Sequence, residues 1–415
     1  MNSKTKWLYL AVGTLMMLLV GLLHAWSIFR APLSIMFPEW NATQMSTTFT
    51  VSILSFCILG FISGKLLQRV KVGTVLRIAS VALAIGFTAS SLSLNEKNAA
   101  LSFTMLIVFY GIFCGGGVGL VYNSIIATIT KWFPGKTGIV SGTLLMGFAF
   151  GSIILGNVVN ELTSEIGFKL TFIIVGVSIA ILICIGSFFV KSPHLLEPSL
   201  RSTSDGKNTE NLPRSYTVSE MIKMPTAWLQ FICMAALGTG GMIMLNSAAV
   251  VAMHFGTTAV VGLIFTVFGG IGRVCVGEYF DKFGRVKAVN VVSIGMMLAG
   301  FILFLGAQSG NLIFILIGLP ILGLSFGGGP PINIGMTFKF FGPKYFPANC
   351  GFMTLILIPS ATIGPLLSSR LQDASNGEFD STFIMIIVMG AITLITGFIV
   401  TLLAKRDGLI EKKLS

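Results

Sequence analysis

The sequence predicts an all-α membrane protein with twelve transmembrane helices arranged as two six-helix bundles. Three observations support this fold class: an apolar composition, recurring apolar segments of spanning length, and basic residues sorted between alternate loops. Of 415 residues, 54% are hydrophobic and 10% are charged, and the mean hydropathy is +0.90. Soluble domains carry roughly 25% charged residues. A soluble fold of this size could not bury so much apolar surface.

The apolar segments set the helix count. A helix needs about 20 apolar residues to cross the hydrocarbon core of a bilayer. The first segment follows Lys4 and Lys6 as in a signal peptide, but apolar segments recur throughout, so we interpret it as the first transmembrane helix. The twelve predicted spans are residues 7–29, 44–64, 73–94, 99–126, 138–160, 168–190, 225–252, 257–277, 287–307, 311–333, 348–369 and 381–404.

The distribution of basic residues predicts the orientation. With both termini on the cytoplasmic side, 22 of the 27 Lys and Arg residues fall in inner segments and four in outer loops. The acidic residues divide almost evenly, eight inside and seven outside. Sorting of positive charge alone is the pattern of cytoplasmic loops. We therefore expect a multi-pass protein of the inner or plasma membrane.

A polar segment divides the chain into two halves. Residues 193–223 have the composition of a flexible cytoplasmic linker, between bundles formed by residues 1–192 and 224–415. The halves repeat weakly, because residues 64–70 after the second span resemble residues 277–283 after the eighth, 213 positions later. Two parallel repeats of six helices indicate a transporter that works by alternating access.

Other classes of function lack support in the sequence. The formal charge of +12 comes from basic residues scattered through short loops, which is unlike a nucleic-acid-binding surface. The six cysteines form no CxxC pair, and no histidines have metal-ligand spacing. The spans contain no paired carboxylates and no nucleophile beside a base. We therefore predict neither an enzyme nor a cofactor, and a monomer suffices.

One motif identifies a family resemblance. The sequence Gly277-Glu-Tyr-Phe-Asp-Lys-Phe-Gly-Arg, after the eighth span, resembles the signature loop of the major facilitator superfamily. In that family the aspartate caps a neighbouring helix and pairs with basic residues in an inner gate. The resemblance assigns this role to Asp281, Lys282 and Arg285, beside Gly277. The copy in the first half has Gln68 in the acidic position, so we expect a weaker contribution there.

Further motifs extend the resemblance over the whole chain. The sequences Lys131-Trp-Phe-Pro-Gly-Lys-Thr-Gly and Tyr216-Thr-Val-Ser-Glu-Met, with Asn246-Ser and Arg273, are similar to the oxalate/formate antiporter family, which is related to monocarboxylate carriers. The resemblance implies transport of a small organic anion.

The sequence departs from the oxalate carriers at several positions. They place a lysine in the eleventh span beside the arginine of the eighth, where this chain has Leu357. His24, Phe326 and Pro330 stand where they have larger aromatic groups. These departures disfavour oxalate and favour a monocarboxylate such as pyruvate, lactate or formate. Oxalate or another dicarboxylate, a drug or a sugar remains the alternative, and both anion exchange and proton symport stay open.

Arg273 is the strongest candidate for substrate binding. It is the one charged residue well inside a predicted span, and a charged side chain there costs at least ~2.5 kcal/mol unless it faces protein or water. Its planar guanidinium suits a carboxylate held by two hydrogen bonds. The alternative is that Arg273 extends to the inner surface or forms a structural pair.

The remaining candidates are polar or aromatic residues on spans that face the cavity in this superfamily. His24 could bind the anion or carry a proton, because histidine titrates near physiological pH; a bond to a neighbouring helix is the alternative. Interhelical hydrogen bonding is the alternative role of the other polar residues. The other candidates are Trp26, Tyr122, Asn123, Asn246 and Phe326.

Glycine patterns predict two further features. Gly111, Gly115 and Gly119 recur at four-residue spacing in the fourth span, as do Gly147 and Gly151 in the fifth, which indicates close helix packing. The Gly-Gly-Gly-Pro-Pro run at 327–331 predicts a break or bend in the tenth helix, because proline lacks the backbone N–H.

Overall fold

A computed structural model describes residues 3–192, 214–374 and 378–409. Twelve helical segments of this part of the chain are long and apolar enough to cross a membrane, and the predicted all-α, twelve-span fold is confirmed. The α-helices in chain order are α1 (Ser3–Val20), α2 (Trp26–Met36), α3 (Ala42–Leu66), α4 (Val72–Ser93), α5 (Ala99–Leu106), α6 (Gly115–Ile129), α7 (Thr137–Ile166), α8 (Phe168–Phe189), α9 (Val218–Met221), α10 (Pro225–His254), α11 (Leu263–Phe283), α12 (Arg285–Ser309), α13 (Leu312–Phe341), α14 (Phe346–Thr354), α15 (Leu357–Ala374) and α16 (Asp380–Arg406).

Local chemistry explains several helix ends. Asn41 begins α3 with a capping box, in which its side chain and that of Gln44 each accept a hydrogen bond from the other residue's backbone N–H, satisfying two donors that the first turn leaves open. Gly284 separates α11 from α12 with a φ of +83°. A side chain disfavours that backbone conformation, so glycine suits the turn.

Three spans contain irregular segments that the sequence analysis did not predict. The first span passes from α1 into a 3₁₀ turn, Gly21–Ala25, before α2. The fourth span includes a π-helix, Ile107–Cys114, between α5 and α6. The eleventh span is interrupted at residues 355–356, between α14 and α15. Extended π-helical segments are rare and are frequently found at functional sites.

Of the predicted break or bend in the tenth span, the break is wrong, since α13 continues through Pro320, Pro330 and Pro331, and the bend stays a prediction. Transmembrane helices tolerate proline where neighbouring groups satisfy the freed backbone carbonyls. The glycines of the run serve packing instead. A Cβ at Gly327 would overlap the carbonyl of Gly269 on α11.

The described residues fall into two compact units. The first unit consists of Met1–Phe133, Gly147–Leu212 and Phe346–Thr354, and the second of Pro134–Met146, Pro213–Tyr345 and Leu355–Ser415. Helix α7 therefore begins in the second unit and continues in the first, while α14 belongs to the first. Most of the predicted linker, residues 193–213, lies outside the described residues.

Glycines allow close helix packing in the first unit, as their spacing predicted. A Cβ at Gly115 or Gly119 of α6 would overlap the backbone carbonyls of Ser52 or Phe56 on α3. The same holds for Gly151 of α7 against the carbonyl of Leu18 on α1. Replacement of these glycines by larger residues would push the helices apart.

A short capped helix precedes α10. Helix α9 begins with a capping box in which Thr217 and Glu220 exchange hydrogen bonds. The backbone N–H and the hydroxyl of Thr217 both donate to the Glu220 carboxylate. These bonds hold the pKa of Glu220 below its usual value, because they favour the charged form.

Candidate functional site

The first turns of α7 pack backbone to backbone on the last turns of α11, within the second unit. A Cβ at Gly138 would overlap the carbonyl of Gly277, and a Cβ at Gly277 would overlap the carbonyl of Gly138. One turn further along α7, a Cβ at Gly142 would overlap the carbonyl of Arg273. We call this contact, formed by Gly138 and Gly142 against Gly277 and Arg273, the α7–α11 crossing. At each of these three close approaches, a side chain in place of the glycine would overlap a backbone carbonyl of the other helix.

Asp281 joins the same two helices through its carboxylate. One carboxylate oxygen accepts the backbone N–H of Gly138 at 2.9 Å, and the other accepts that of Ile139 at 2.8 Å. Both donors lie in the first turn of α7, where backbone N–H groups have no partner within the helix and the helix dipole favours a negative charge. Asp281 therefore caps α7, as its family resemblance implies.

The basic residues whose charges interact with the Asp281 carboxylate differ from the expected Lys282 and Arg285. The positive charges of Lys339 on α13 and Lys136 before α7 interact with the Asp281 carboxylate. Lys282 instead pairs with Glu278 one turn earlier, with an N–O distance of 2.7 Å, and both side chains are exposed.

Arg285 and Lys339 lie over aromatic rings. The guanidinium carbon of Arg285 lies 5.3 Å from the ring centroid of Phe340, and the Lys339 nitrogen lies 4.5 Å from that of Phe280. The positive charges of Arg285 and Lys339 also repel each other. These contacts place positive charge beside the capped end of α7.

Arg273 contributes a second link across the crossing. Its side chain is half-buried, and the Nη1 atom donates a hydrogen bond of 2.8 Å to the backbone carbonyl of Leu145 on α7. A hydrogen bond from a charged donor is stronger than one between neutral groups. Arg273 thus holds α7 about two helical turns beyond the Asp281 cap.

The loss of the Asp281 cap gives a testable prediction. We expect Asp281→Asn to destabilise the protein by about 1–3 kcal/mol, because the amide keeps one acceptor oxygen while its nitrogen, which only donates, leaves the other N–H of α7 without a partner. The measurement is thermal unfolding in detergent. The matched control is Glu278→Gln on the same helix, which removes an exposed ion pair and should leave unfolding unchanged. Equal unfolding temperatures for Asp281→Asn and wild type would contradict the prediction.

Three of the other predicted site residues lie in packed regions of the first unit. Trp26 is buried; its ring lies 4.8 Å from that of Tyr110, and its indole N–H donates to the carbonyl of Met45. The ring of Tyr122 packs 5.0 Å from that of Phe56. Asn123 is fully buried, and its amide donates to two backbone carbonyls. Asn123 thus makes the interhelical hydrogen bonds named as its alternative role.

Phe326 lies in the second unit, and two candidates cannot be placed. The ring of Phe326 stacks on that of Phe265 at 5.7 Å. The side chains of His24 and Asn246 lie outside the described part of the chain. Among the described residues, no group of three or more His, Cys, Asp or Glu could hold a metal ion.

The sequence analysis missed one buried polar cluster, in the second unit. The Gln230 amide nitrogen on α10 donates to the side-chain oxygens of Asn333 and Thr337 on α13, at 2.9 and 3.0 Å. All three side chains are buried. The four-residue spacing of Asn333 and Thr337 places them on one helix face and was the available signal.

The apolar helices of the described residues define a multi-pass membrane protein. The chain belongs to the major facilitator superfamily, which it matches over residues 8–358.

Three known proteins illustrate the similarity. An oxalate:formate antiporter of Oxalobacter formigenes is 24% identical over 405 residues, covering 96% of this chain and 90% of that protein. The uncharacterized MFS-type transporter YhjX of Escherichia coli is 23% identical over 358 residues, or 85% of each chain. The solved structure of the proton:xylose symporter XylE aligns with 100% of this chain and 98% of the XylE chain, with a TM-score of 0.76 and 15% identity. This structural similarity concerns the fold alone.

Proposed function

We propose that this protein is a secondary carrier of a small organic anion, specifically a monocarboxylate of the pyruvate, lactate or formate type. The observation that carries the proposal is the position of Arg273, a charged side chain in the interior of α11 that bonds to α7. A charge at membrane depth is costly and marks a functional site by default. The guanidinium of arginine matches the geometry of a carboxylate.

The hydrogen bond between Arg273 and Leu145 suggests how binding and movement are coupled. A substrate carboxylate offers a charged acceptor, which is a stronger partner for the guanidinium than the neutral carbonyl of Leu145. An anion that draws Arg273 away would remove one of the links across the α7–α11 crossing. The remaining link is the Asp281 cap, which with Gly277, Lys282 and Arg285 we assign to the gate on the cytoplasmic side. The driving force is the gradient of substrate, exchanged anion or proton.

The substrate assignment combines the similarity to the oxalate:formate antiporter with the positions at which this chain differs from the oxalate carriers. A relative that matches 96% of this chain is named for oxalate and formate, which supports an anionic substrate. In this chain the partly buried Leu357, at the start of α15, takes the position where the resemblance would place a lysine. A single cation suits a single carboxylate, so a monocarboxylate is favoured.

The test is counterflow in proteoliposomes with labelled pyruvate, lactate, formate and oxalate. We expect the wild type to exchange at least one monocarboxylate at least about 10-fold faster than oxalate, since an unpaired second carboxylate would lose about 1.4 kcal/mol or more. The variant Leu357→Lys should gain oxalate exchange, and Leu357→Met, with a side chain of similar size, should not. Oxalate exchange by the wild type at the monocarboxylate rate would overturn the substrate assignment. Exchange of no carboxylate by folded protein would overturn the anion assignment.

A further inference from the structure

We infer that Asn123 is a latch that holds α14 against α3 in the first unit and thereby limits how often these two helices separate. Asn123 acts as a positioning residue. The inference rests on the membership of this chain in a transporter family and not on the identity of the substrate. Asn123 lies on α6 and is fully buried. Its amide nitrogen donates to the carbonyl of Gly60 on α3 at 2.9 Å and to that of Pro347 on α14 at 3.1 Å. One amide group therefore joins three helices.

The orientation of the amide follows from its neighbours. Both groups within hydrogen-bond distance of the nitrogen are backbone carbonyls, which only accept, so the NH₂ group must face them. The amide oxygen points away and has no hydrogen-bond partner among the described residues. A buried acceptor without a partner is unfavourable. The closed contact therefore leaves one polar group of Asn123 unsatisfied.

The helices joined by Asn123 meet with little side-chain material between them. A Cβ at Gly64 of α3 would overlap the carbonyl of Pro347. From the other side, a Cβ at Gly351 of α14 would lie 2.8 Å from the Cα of Phe61 and 2.9 Å from the oxygen of Gly60. The hydrogen bonds of Asn123 lie at this close approach, because its two acceptors, the carbonyls of Gly60 and Pro347, are among the backbone groups that meet there.

The chemistry of α14 explains why an amide serves here rather than a carboxylate. Helix α7 presents backbone N–H groups to Asp281, whereas α14 has Pro347 as its second residue, and proline has no N–H to donate. The group that α14 presents at this point is the Pro347 carbonyl, which has a second lone pair that can accept a donor from another helix. Gln68 stands in the corresponding acidic position of the first-half motif and is exposed. Asn123 supplies the donor from a different helix.

Native cysteines provide the test of the latch. Cys57 on α3 is fully buried with its sulfur 3.8 Å from the carbonyl of Thr354, and Cys350 of α14 is also buried. Opening of α14 from α3 would expose both thiols. Cys233 on α10 is equally buried but belongs to the second unit, so it reports general loosening of the fold.

The experiment measures the alkylation rate of each cysteine by N-ethylmaleimide in membrane vesicles, resolved by peptide mass spectrometry. Hydrogen bonds between transmembrane helices contribute about 0.6 and at most about 1.7 kcal/mol, so Asn123→Ala should accelerate labelling of Cys57 and Cys350 about 3- to 20-fold. Asn123→Ser is measured beside it, because serine can return its hydroxyl to its own helix and disturbs packing less.

The matched control is Ser124→Ala. Ser124 is also buried on α6, but its hydroxyl bonds to Ser63 on α3 at 2.8 Å, so we expect Cys57 and Cys350 to keep the wild-type rate. The inference is overturned if Asn123→Ala and Asn123→Ser label both cysteines at the wild-type rate. It is also overturned if labelling of Cys233 rises equally, because the amide would then support the fold in general.

Discussion

Replacing Arg273 by alanine is expected to reduce carboxylate exchange on the order of 100-fold, and replacing it by lysine about 10-fold. A hydrogen bond to a charged group contributes about 1.5–3 kcal/mol, and alanine removes both bonds of the guanidinium fork. Lysine keeps the charge but cannot bind a carboxylate with a planar pair of donors. The measurement is counterflow of the labelled monocarboxylate that the wild type exchanges fastest, at equal amounts of reconstituted protein.

Two controls separate substrate recognition from the structural link to α7. Arg77→Ala removes an exposed arginine on α4 that bonds within its own helix, so it should exchange at the wild-type rate. Substrate should raise the melting temperature of the wild type but not that of Arg273→Ala, because a ligand stabilises only a protein that binds it. If Arg273→Ala loses transport but keeps this stabilisation, Arg273 serves the α7–α11 crossing alone.

The sequence predicts the span count well because its signals are local. Apolar length and the sorting of basic residues each belong to a single segment, and no knowledge of neighbouring helices is needed. Whether a proline interrupts its span depends on tertiary packing instead. The tenth span stays helical through Pro330 and Pro331, whereas the eleventh is interrupted at 355–356, where Pro359 removes the usual helical donor to the Leu355 carbonyl.

The candidate site divides in the same way. Asp281 lies in a recognisable motif, and Arg273 is a charged residue within an apolar span. Both residues can therefore be selected from the sequence alone. Their partners, the carbonyl of Leu145 and the N–H groups of Gly138 and Ile139, are backbone atoms that every residue carries. Such partners have no sequence signature, so the link between α11 and α7 could not be derived. Asn123 was selected for polarity, but its acceptor Pro347 lies on a helix distant in sequence.

Replacing Gly277 by alanine is expected to open the α7–α11 crossing and to slow exchange about 10-fold. The added Cβ would overlap the carbonyl of Gly138, and neither backbone can yield without moving its helix. Overpacking of this kind typically costs 1–3 kcal/mol, which favours arrangements in which the two helices are apart. The measurement is the distance between spin labels placed at the exposed positions 136 and 282, with Cys184 and Cys275 replaced by serine. We expect the distribution to move to longer distances.

The control lies on the same helix and involves the same substitution. A Cβ at Gly269 of α11 would come no closer than 3.7 Å to the nearest atom outside its own helix, the oxygen of Gly323, so Gly269→Ala should preserve both the distance and the exchange rate. The contrast isolates the crossing, because helix propensity changes by the same amount in both variants. Equal behaviour of the two variants would contradict the prediction. A longer distance in Gly277→Ala with normal exchange would show that opening of this crossing does not limit the transport cycle.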